Sequence, residues 1–255
     1  MIFESHAHYD NPAFDEDRDS LLEGLKGKGI GYVLNVGASL ETTASAIALA
    51  QRYPFVYAAA GVHPSESGEL TKEGLRWLKE QCGKKKVVAV GEIGLDYYWK
   101  EPDRQVQKEW FGKQLQLAQE VGLPVILHSR EAAKDTLDIV KERYQATAGG
   151  VVHCFSYTKE IAWEYLDMGF YIGVGGVVTF QNGRKLKETV EDIPIERILL
   201  ETDSPYLAPE PHRGKRNSSL NLTLIAKEIA RIKGMDYDEV VEITMQNAKR
   251  LFGIA

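Results

Sequence analysis

Three consecutive segments together indicate the fold: VVAVG at 87–91, RQVQKEWFGKQLQLAQEV at 104–121 and PVILH at 124–128. The first and third are short, apolar and rich in β-branched residues, which predicts two buried strands. The middle segment repeats its apolar residues at spacings close to one helical turn, which predicts an amphipathic helix. A strand, a helix and a strand in this order are typical of a parallel βαβ unit.

The same alternation continues on both sides of this unit. Eight strands in 255 residues match a single (β/α)₈ barrel of the TIM type in count and length, with an extra C-terminal helix. The alternative is an open, doubly wound sheet. No linker rich in Pro, Gly or Ser divides the chain, so we expect one domain over 1–255. The predicted strands lie near 1–6, 31–36, 56–61, 87–91, 124–128, 150–153, 170–174 and 197–201, and the predicted helices cover 39–52, 104–121, 132–144, 159–168, 219–233 and 237–250.

The composition excludes several classes of protein. With 44% hydrophobic and 27% charged residues, the chain is not disordered, collagen-like or a coiled coil. The sequence has no apolar run long enough for a membrane span and no N-terminal signal-peptide pattern. Two cysteines, Cys82 and Cys154, do not make a disulfide framework, so we expect a reducing, cytoplasmic location. The net charge of −6 argues against non-specific coating of nucleic acid, but it leaves room for a local basic patch.

Histidines collect at the ends of the predicted strands. Five of the six lie at or just beyond such an end, and the sixth follows in the aperiodic stretch 202–217. The C-terminal strand ends of a barrel share the face that carries the active site, so these side chains should converge. An H-x-H pair on a strand places both imidazoles on one side, although such a pair is often incidental. The five residues are His6, His8, His63, His128 and His153, and the sixth is His212.

Two carboxylates follow strands on the same predicted face. Glu92 comes after the strand at 87–91, and Asp203 comes after the strand at 197–201. Either one alone would be read as a helix cap or a surface charge. Together with four of the histidines they provide the donor types that a pair of divalent metal ions requires.

Several longer motifs in the sequence are similar to those of a known protein family. The sequence resembles the TatD family of metal-dependent hydrolases, within the wider group of amidohydrolase-like barrels. The motifs run in order through most of the chain: HAH at 6–8, GVHP at 61–64, GEIGLDYY at 91–98, PVILHSR at 124–130, HCFS at 153–156, ETDSPYLAP at 201–209 and HRGKRN at 212–217.

The resemblance implies a metal-dependent hydrolase, commonly a deoxyribonuclease, with two metal sites. One metal would be held by His6, His8, Glu92 and Asp203, and the other by Glu92, His128 and His153, with Glu92 bridging. The chain departs from the family at Glu4, where Asp is more common, and at 217–221, where an acidic residue and Pro commonly follow RN. The second departure could change the rim of the substrate groove.

The expected chemistry is hydrolysis by a metal-activated water. Two ions about 3.5–4 Å apart can bind a bridging water and lower its pKa to near neutral. Glu92 and Asp203 are the predicted catalytic residues, with Asp203 also accepting the proton from the water. Because histidines must be unprotonated to bind metal, activity should fall at acidic pH. The ions are expected to be Zn²⁺, Mg²⁺ or Mn²⁺.

Cationic residues near the predicted site are candidates for binding phosphate. The run RGKR at 213–216 could equally be a solvated loop. His63 could equally be a core residue whose ring nitrogens are hydrogen-bonded. Aromatic residues 97–99 could stack a base or pack the loop onto the barrel. Strand alternation turns Cys154 away from the pocket, so we expect it in the core. The candidate substrate-binding residues are His63, Arg130, His212, Arg213, Lys215 and Arg216.

We therefore predict a hydrolase of phosphodiester bonds at DNA strand ends, with single-stranded nucleic acid as its substrate. No membrane and no obligate protein partner is implied. The same metal platform could instead hydrolyse a carboxylic ester or an amide, such as a lactone or an aminoacyl ester. A third interpretation is a metal protein that binds nucleic acid without cutting it.

Overall fold

The computed structural model describes residues 1–145 and 148–255, and in them eight parallel strands form one sheet in sequential order. A bridge between Ala7 and Ser204 brings the chain after the last strand against the first strand, so the barrel is nearly closed. The predicted (β/α)₈ fold is confirmed. The strands are β1 (Ile2–Ala7), β2 (Ile30–Val36), β3 (Val56–Ala60), β4 (Val87–Asp96), β5 (Val125–Arg130), β6 (Gly150–Val152), β7 (Tyr171–Val174) and β8 (Ile198–Leu200).

Helices surround the barrel, and α9 is the predicted extra helix at the C-terminus. Three helices, α1, α3 and α7, lie outside the predicted ranges, and each buries few apolar side chains. Helix α7, for example, buries only Leu186, Thr189 and Val190. None of the described helices has the length and apolarity needed to cross a membrane. The helices are α1 (Arg18–Leu25), α2 (Leu40–Arg52), α3 (Lys72–Cys82), α4 (Arg104–Val121), α5 (Ala133–Arg143), α6 (Lys159–Asp167), α7 (Arg184–Asp192), α8 (Leu222–Lys233) and α9 (Tyr237–Phe252).

Strand β4 is longer than predicted, and this changes the position of Glu92. The strand runs to Asp96 and is buried along all ten residues, whereas the sequence indicated an end at 91. Its register against β5 shifts between Val90 and Ile93, so an irregularity lies where Glu92 sits. Glu92 is therefore within a strand and not beyond its end, and the remaining residues of β4 continue the wall of the site.

The closing seam, between β1 and the chain that follows β8, is held by a buried carboxyl group. Glu4 accepts hydrogen bonds from the backbone N–H of Thr202 at 2.8 Å and from its hydroxyl at 2.6 Å. The N–H of Asp203 donates to the carbonyl of His6 at 3.0 Å. Burial raises the pKa of Glu4 to about 8, so this carboxyl is neutral at pH 7. The seam fixes the end of β1 relative to Asp203.

Candidate metal centre

A cavity of about 640 Å³ opens at the C-terminal end of the barrel, where the predicted site residues converge. Five of the six expected metal ligands line it, and His6 lies buried beside them. The cavity is lined by His8, His63, Glu92, Asp96, Trp99, His128, Ser129, Arg130, His153, Cys154, Ser156, Val177, Asp203, Tyr206 and Leu207.

The first group of potential ligands comes from β1 and the chain after β8. The Nε2 atoms of His6 and His8 lie 3.2 Å apart, as the H-x-H spacing on a strand predicts. They are 3.8 Å and 3.5 Å, respectively, from Oδ1 of Asp203. Nδ1 of His8 is 2.9 Å from the carbonyl oxygen of Val36. This contact places the proton on Nδ1 and leaves the Nε2 lone pair facing Asp203.

The second group comes from β4, β5 and the residue after β6. Nε2 of His153 lies 2.9 Å from Oε2 of Glu92, and Nδ1 of His128 lies 3.4 Å from the same oxygen. The two ring nitrogens are 3.2 Å apart. Nε2 of His128 faces Oδ2 of Asp96 at 3.1 Å, which leaves the Nδ1 lone pair of His128 free to bind a metal.

Glu92 lies between the two groups. Its Oε1 is 3.6 Å from Nε2 of His8. Its Oε2 faces His128 and His153 and is also 3.8 Å from Nε2 of His6. Burial alone would raise the pKa of Glu92, but the imidazoles of His153 and His6 outweigh this effect and hold the pKa well below its usual range. Glu92 is therefore a carboxylate in contact with the histidines of both groups.

These residues fit a pair of divalent ions. The atoms that face one another in the two groups are 2.9–3.8 Å apart. Ligands at about 2.1 Å from a tetrahedral metal are about 3.4 Å from each other, so an ion fits among such atoms. Oε2 of Glu92 is also buried without a hydrogen-bond donor in the described structure. Imidazole and carboxylate donors suit Zn²⁺ and related transition ions.

Backbone strain concentrates at the same cavity. Among the described residues, four non-glycine residues have positive φ angles of 48–57°, and three of them, Cys154, Asp203 and Leu207, line the cavity. Such conformations are costly and cluster at functional sites. The expectation that Cys154 points into the core is wrong, because its left-handed backbone, directly after the short β6, breaks the alternation on which that expectation rested.

His63 and Arg130 also face the cavity. Nδ1 of His63 accepts a hydrogen bond from the N–H of Ser65 at 3.1 Å, so the proton lies on Nε2. Burial lowers the pKa of His63 to about 3, and the ring is neutral at pH 7. The guanidinium of Arg130 stacks on the ring of Tyr98, with 3.8 Å between Cζ and the ring centroid.

The three aromatic residues after β4 differ in environment. Tyr97 packs against the core and donates its hydroxyl to Asp135 at 2.7 Å, as the packing interpretation expects. Tyr98 and Trp99 are instead 51% and 54% exposed, and Trp99 lines the cavity. The exposed faces of these two rings are free to contact a ligand.

The basic loop after β8 does not line the cavity. His212, Arg213, Lys215 and Arg216 are all exposed on the surface. Arg216 is engaged elsewhere, since its guanidinium donates to Asp17 and, at 2.7 Å, to the carbonyl of Ala13. Contact of this loop with substrate therefore stays a prediction.

Sequence reasoning missed three features of the site. Asp96 pairs with His128, and it would have been found from its alternation with Glu92 had β4 been extended. Glu201 is buried beside His153, and nothing in its local sequence distinguishes it from a surface residue before Asp203. Tyr206 is exposed at the mouth of the cavity, and its position depends on the course of an aperiodic loop.

Comparison with known proteins agrees with this geometry. The family described as "TatD related DNase" matches residues 3–253. A Bacillus subtilis (strain 168) protein named as an uncharacterized metal-dependent hydrolase, YabD, is 43% identical over 254 residues, covering 100% of each chain. A Cronobacter sakazakii protein named 3'-5' ssDNA/RNA exonuclease TatD is 35% identical, over 98% of this chain and 97% of its own. The crystal structure of YjjV, a TatD homologue from Escherichia coli K12, superimposes with a TM-score of 0.94 at 30% identity, covering 100% and 98% of the two chains.

Proposed function

The chain belongs to the TatD-related DNase family of metal-dependent hydrolases, and on that premise we propose that it hydrolyses phosphodiester bonds at the ends of single-stranded DNA. The observation that supports the proposal is the position of Glu92, which lies between the two groups and contacts histidines of both. A bridging carboxylate of this kind is typical of sites for two metal ions. We assign one ion to His6, His8, Glu92 and Asp203 and the other to Glu92, His128 and His153.

The residues of the chain then have separate roles in the reaction. Two divalent ions held by these residues would lower the pKa of a water nucleophile and would stabilise negative charge on the phosphoryl oxygens. Asp203, whose side chain is 17% exposed to the cavity, accepts the proton of the attacking water. His63 presents its Nε2–H as a donor to the phosphate or to the leaving oxygen. Arg130 offers its guanidinium to a phosphate oxygen.

The shape of the cavity supports a strand end as the substrate. A volume of about 640 Å³ is within the range of small-molecule sites, about 300–1,000 Å³, and suits a terminal nucleotide better than a length of duplex. Exposed rings of Tyr98, Trp99 and Tyr206 stand at or near its mouth. Aromatic faces stack on unpaired bases with little regard to sequence, which favours single strands.

The test is cleavage of single-stranded DNA labelled at the 5' or the 3' end, in EDTA, Mg²⁺, Mn²⁺ or Zn²⁺. We expect cleavage only with metal, and none with Asp203→Ala purified in parallel to exclude a contaminating nuclease. The two labels give the polarity. A protein that binds metal but cuts no DNA, and hydrolyses a carboxylic ester instead, would contradict the proposal.

A further inference from the structure

Below the candidate metal centre lies a buried group of three side chains, and hydrogen bonding in the described structure leaves one polar atom of each unsatisfied. These atoms are Nδ1 of His6, Nδ1 of His153 and Oε2 of Glu201. The three residues also form one of the clusters whose ligand atoms lie within 4.8 Å of one another. Buried polar atoms are nearly always hydrogen-bonded, so this group requires a physical explanation.

The two histidines are oriented in parallel. Their ring centroids are 3.9 Å apart and their planes differ by 10°. Nε2 of His6 faces His8 and Asp203, and Nε2 of His153 faces Glu92. Each ring therefore directs Nε2 toward a different half of the metal centre. Nδ1 of His153 faces Glu201, and a ring nitrogen of His6 lies within 4.8 Å of a Glu201 oxygen. We infer that this nitrogen is the unsatisfied Nδ1, because Nε2 faces His8 and Asp203.

The fold makes room for the Glu201 side chain in this position. Glu201 follows β8 and is 1% exposed. Its Oε1 accepts a hydrogen bond from the backbone N–H of Cys154, which fixes one end of the carboxylate. Gly173, in the neighbouring strand β7, has no side chain where a Cβ atom would collide with Oε2 of Glu201. An alanine there would displace the carboxylate.

We propose that Glu201 is a shared positioning residue that accepts the Nδ1–H of both His6 and His153 and so couples the two halves of the metal centre. The inference rests on the metal centre of the proposed function. When Nε2 binds a metal, Nδ1 of the same neutral ring carries the proton and needs an acceptor. Nδ1 of His153 lies 3.9 Å from Oε1 of Glu201, which already accepts from the N–H of Cys154. The acceptor for both rings is therefore Oε2, the oxygen left without a donor.

Glutamine at position 201 tests the idea with little change in volume. The N–H of Cys154 requires an oxygen at the Oε1 position, so the NH₂ of the amide falls at the Oε2 position. There it meets the two Nδ1–H groups as a donor. We expect Glu201→Gln to weaken the binding of both ions by about 10–100-fold, as loss of an acceptor behind a metal-bound histidine does.

Asp96 provides a matched control. One of its oxygens accepts from the N–H of Tyr98 at 3.0 Å, and the other faces Nε2 of His128 alone. Asp96→Asn places an NH₂ against a single imidazole and should weaken only the ion at Glu92, His128 and His153. A general loss of structure near the site would not separate the two variants in this way.

The experiment is calorimetric titration of the metal-free proteins with Zn²⁺, which yields two dissociation constants for each variant without any substrate. Two weakened constants in Glu201→Gln, against one in Asp96→Asn, support the proposal. A change in one constant or in neither for Glu201→Gln would overturn it. Because the readout is metal affinity, wild-type protein that binds two ions and cuts no DNA would refute the proposed function alone.

A second measurement on wild-type protein needs no variant. In protein labelled with ¹⁵N-histidine and loaded with Zn²⁺, both His6 and His153 should show Nδ1–H protons that exchange slowly with solvent. An Nδ1 atom without a proton in either residue would contradict the proposal, whether or not Glu201→Gln folds.

Discussion

At the scale of single residues, Glu92 and Asp203 differ in what they contact. Glu92 is 5% exposed and surrounded by imidazoles, so its replacement removes a ligand common to both groups. Asp203 is partly open to the cavity and contacts only the histidines of β1 among the expected ligands. The first residue is therefore at the centre of the candidate metal site, and the second lies at its open side.

We expect Glu92→Ala and Asp203→Ala each to remove nearly all hydrolysis, since either loss removes a metal ligand and, at 203, the proton acceptor. Far-ultraviolet circular dichroism should remain that of the wild type. Initial rates on labelled single-stranded DNA measure the effect. Turnover retained in both variants would contradict the assignment of the site.

At the scale of elements, the closing seam depends on a neutral carboxyl. Parallel strands usually pair through backbone bonds alone, but here the Glu4 side chain takes the N–H and the hydroxyl of Thr202. The pKa of Glu4 is raised from 4.5 to about 8. A raised pKa means that the folded state binds the proton more tightly than the unfolded chain does. The contribution of Glu4 to the free energy of unfolding is therefore complete below pH 4.5, and it is lost as the pH rises through about 8.

We therefore expect Glu4→Gln to gain stability relative to the wild type as the pH rises. Between pH 4.5 and 8 the free energy of unfolding of Glu4→Gln should rise relative to that of the wild type by about 1.4 kcal/mol per pH unit. Urea unfolding of the metal-free proteins at pH 6, 7 and 8 measures it. The exposed Glu41→Gln on α2 is the control. An unchanged difference between Glu4→Gln and wild type across this range would show that the carboxyl is already ionised.

The loop after β4 carries the second prediction at this scale. Trp99 is 54% exposed and lines the cavity, whereas Trp163 on α6 is 41% exposed and is not among the cavity residues. If Trp99 stacks on a base, Trp99→Ala should lose about 1–3 kcal/mol of binding to single-stranded DNA. Trp163→Ala should lose none. Fluorescence anisotropy with labelled oligonucleotides in EDTA gives both affinities, and equal losses would refute stacking.

At the scale of the whole molecule, metal binding should stabilise the fold. The ligands come from β1, β4, β5 and the chain after β6 and β8, so an ion joins both ends of the barrel sheet. A ligand that binds only the folded state at about 1,000 times its dissociation constant adds about 4 kcal/mol per site. In a chain of this size each kcal/mol raises the melting temperature by about 2–4 °C.

We therefore expect removal of metal with EDTA to lower the melting temperature by roughly 8–16 °C for one strongly held ion. Differential scanning calorimetry with and without Zn²⁺ measures the shift. Asp203→Ala should show a smaller shift than the wild type. Identical melting temperatures in EDTA and in saturating Zn²⁺ would argue that the described ligands do not bind the ion in the folded state.

The sequence by itself determined the barrel and brought together the residues of the candidate metal centre. Alternating strands and helices are encoded locally by apolar periodicity, and parallel topology then brings strand ends such as those at His6 and His153 to one face. The tertiary structure alone decided which further residues contact the expected metal ligands or line the cavity. Glu201, Asp96 and the exposure of Cys154 depend on side-chain direction, on a register shift in β4 and on a left-handed backbone. These features arise from contacts between elements distant in the chain, and the alternation of Asp96 with Glu92 is the one local trace that they leave in the sequence.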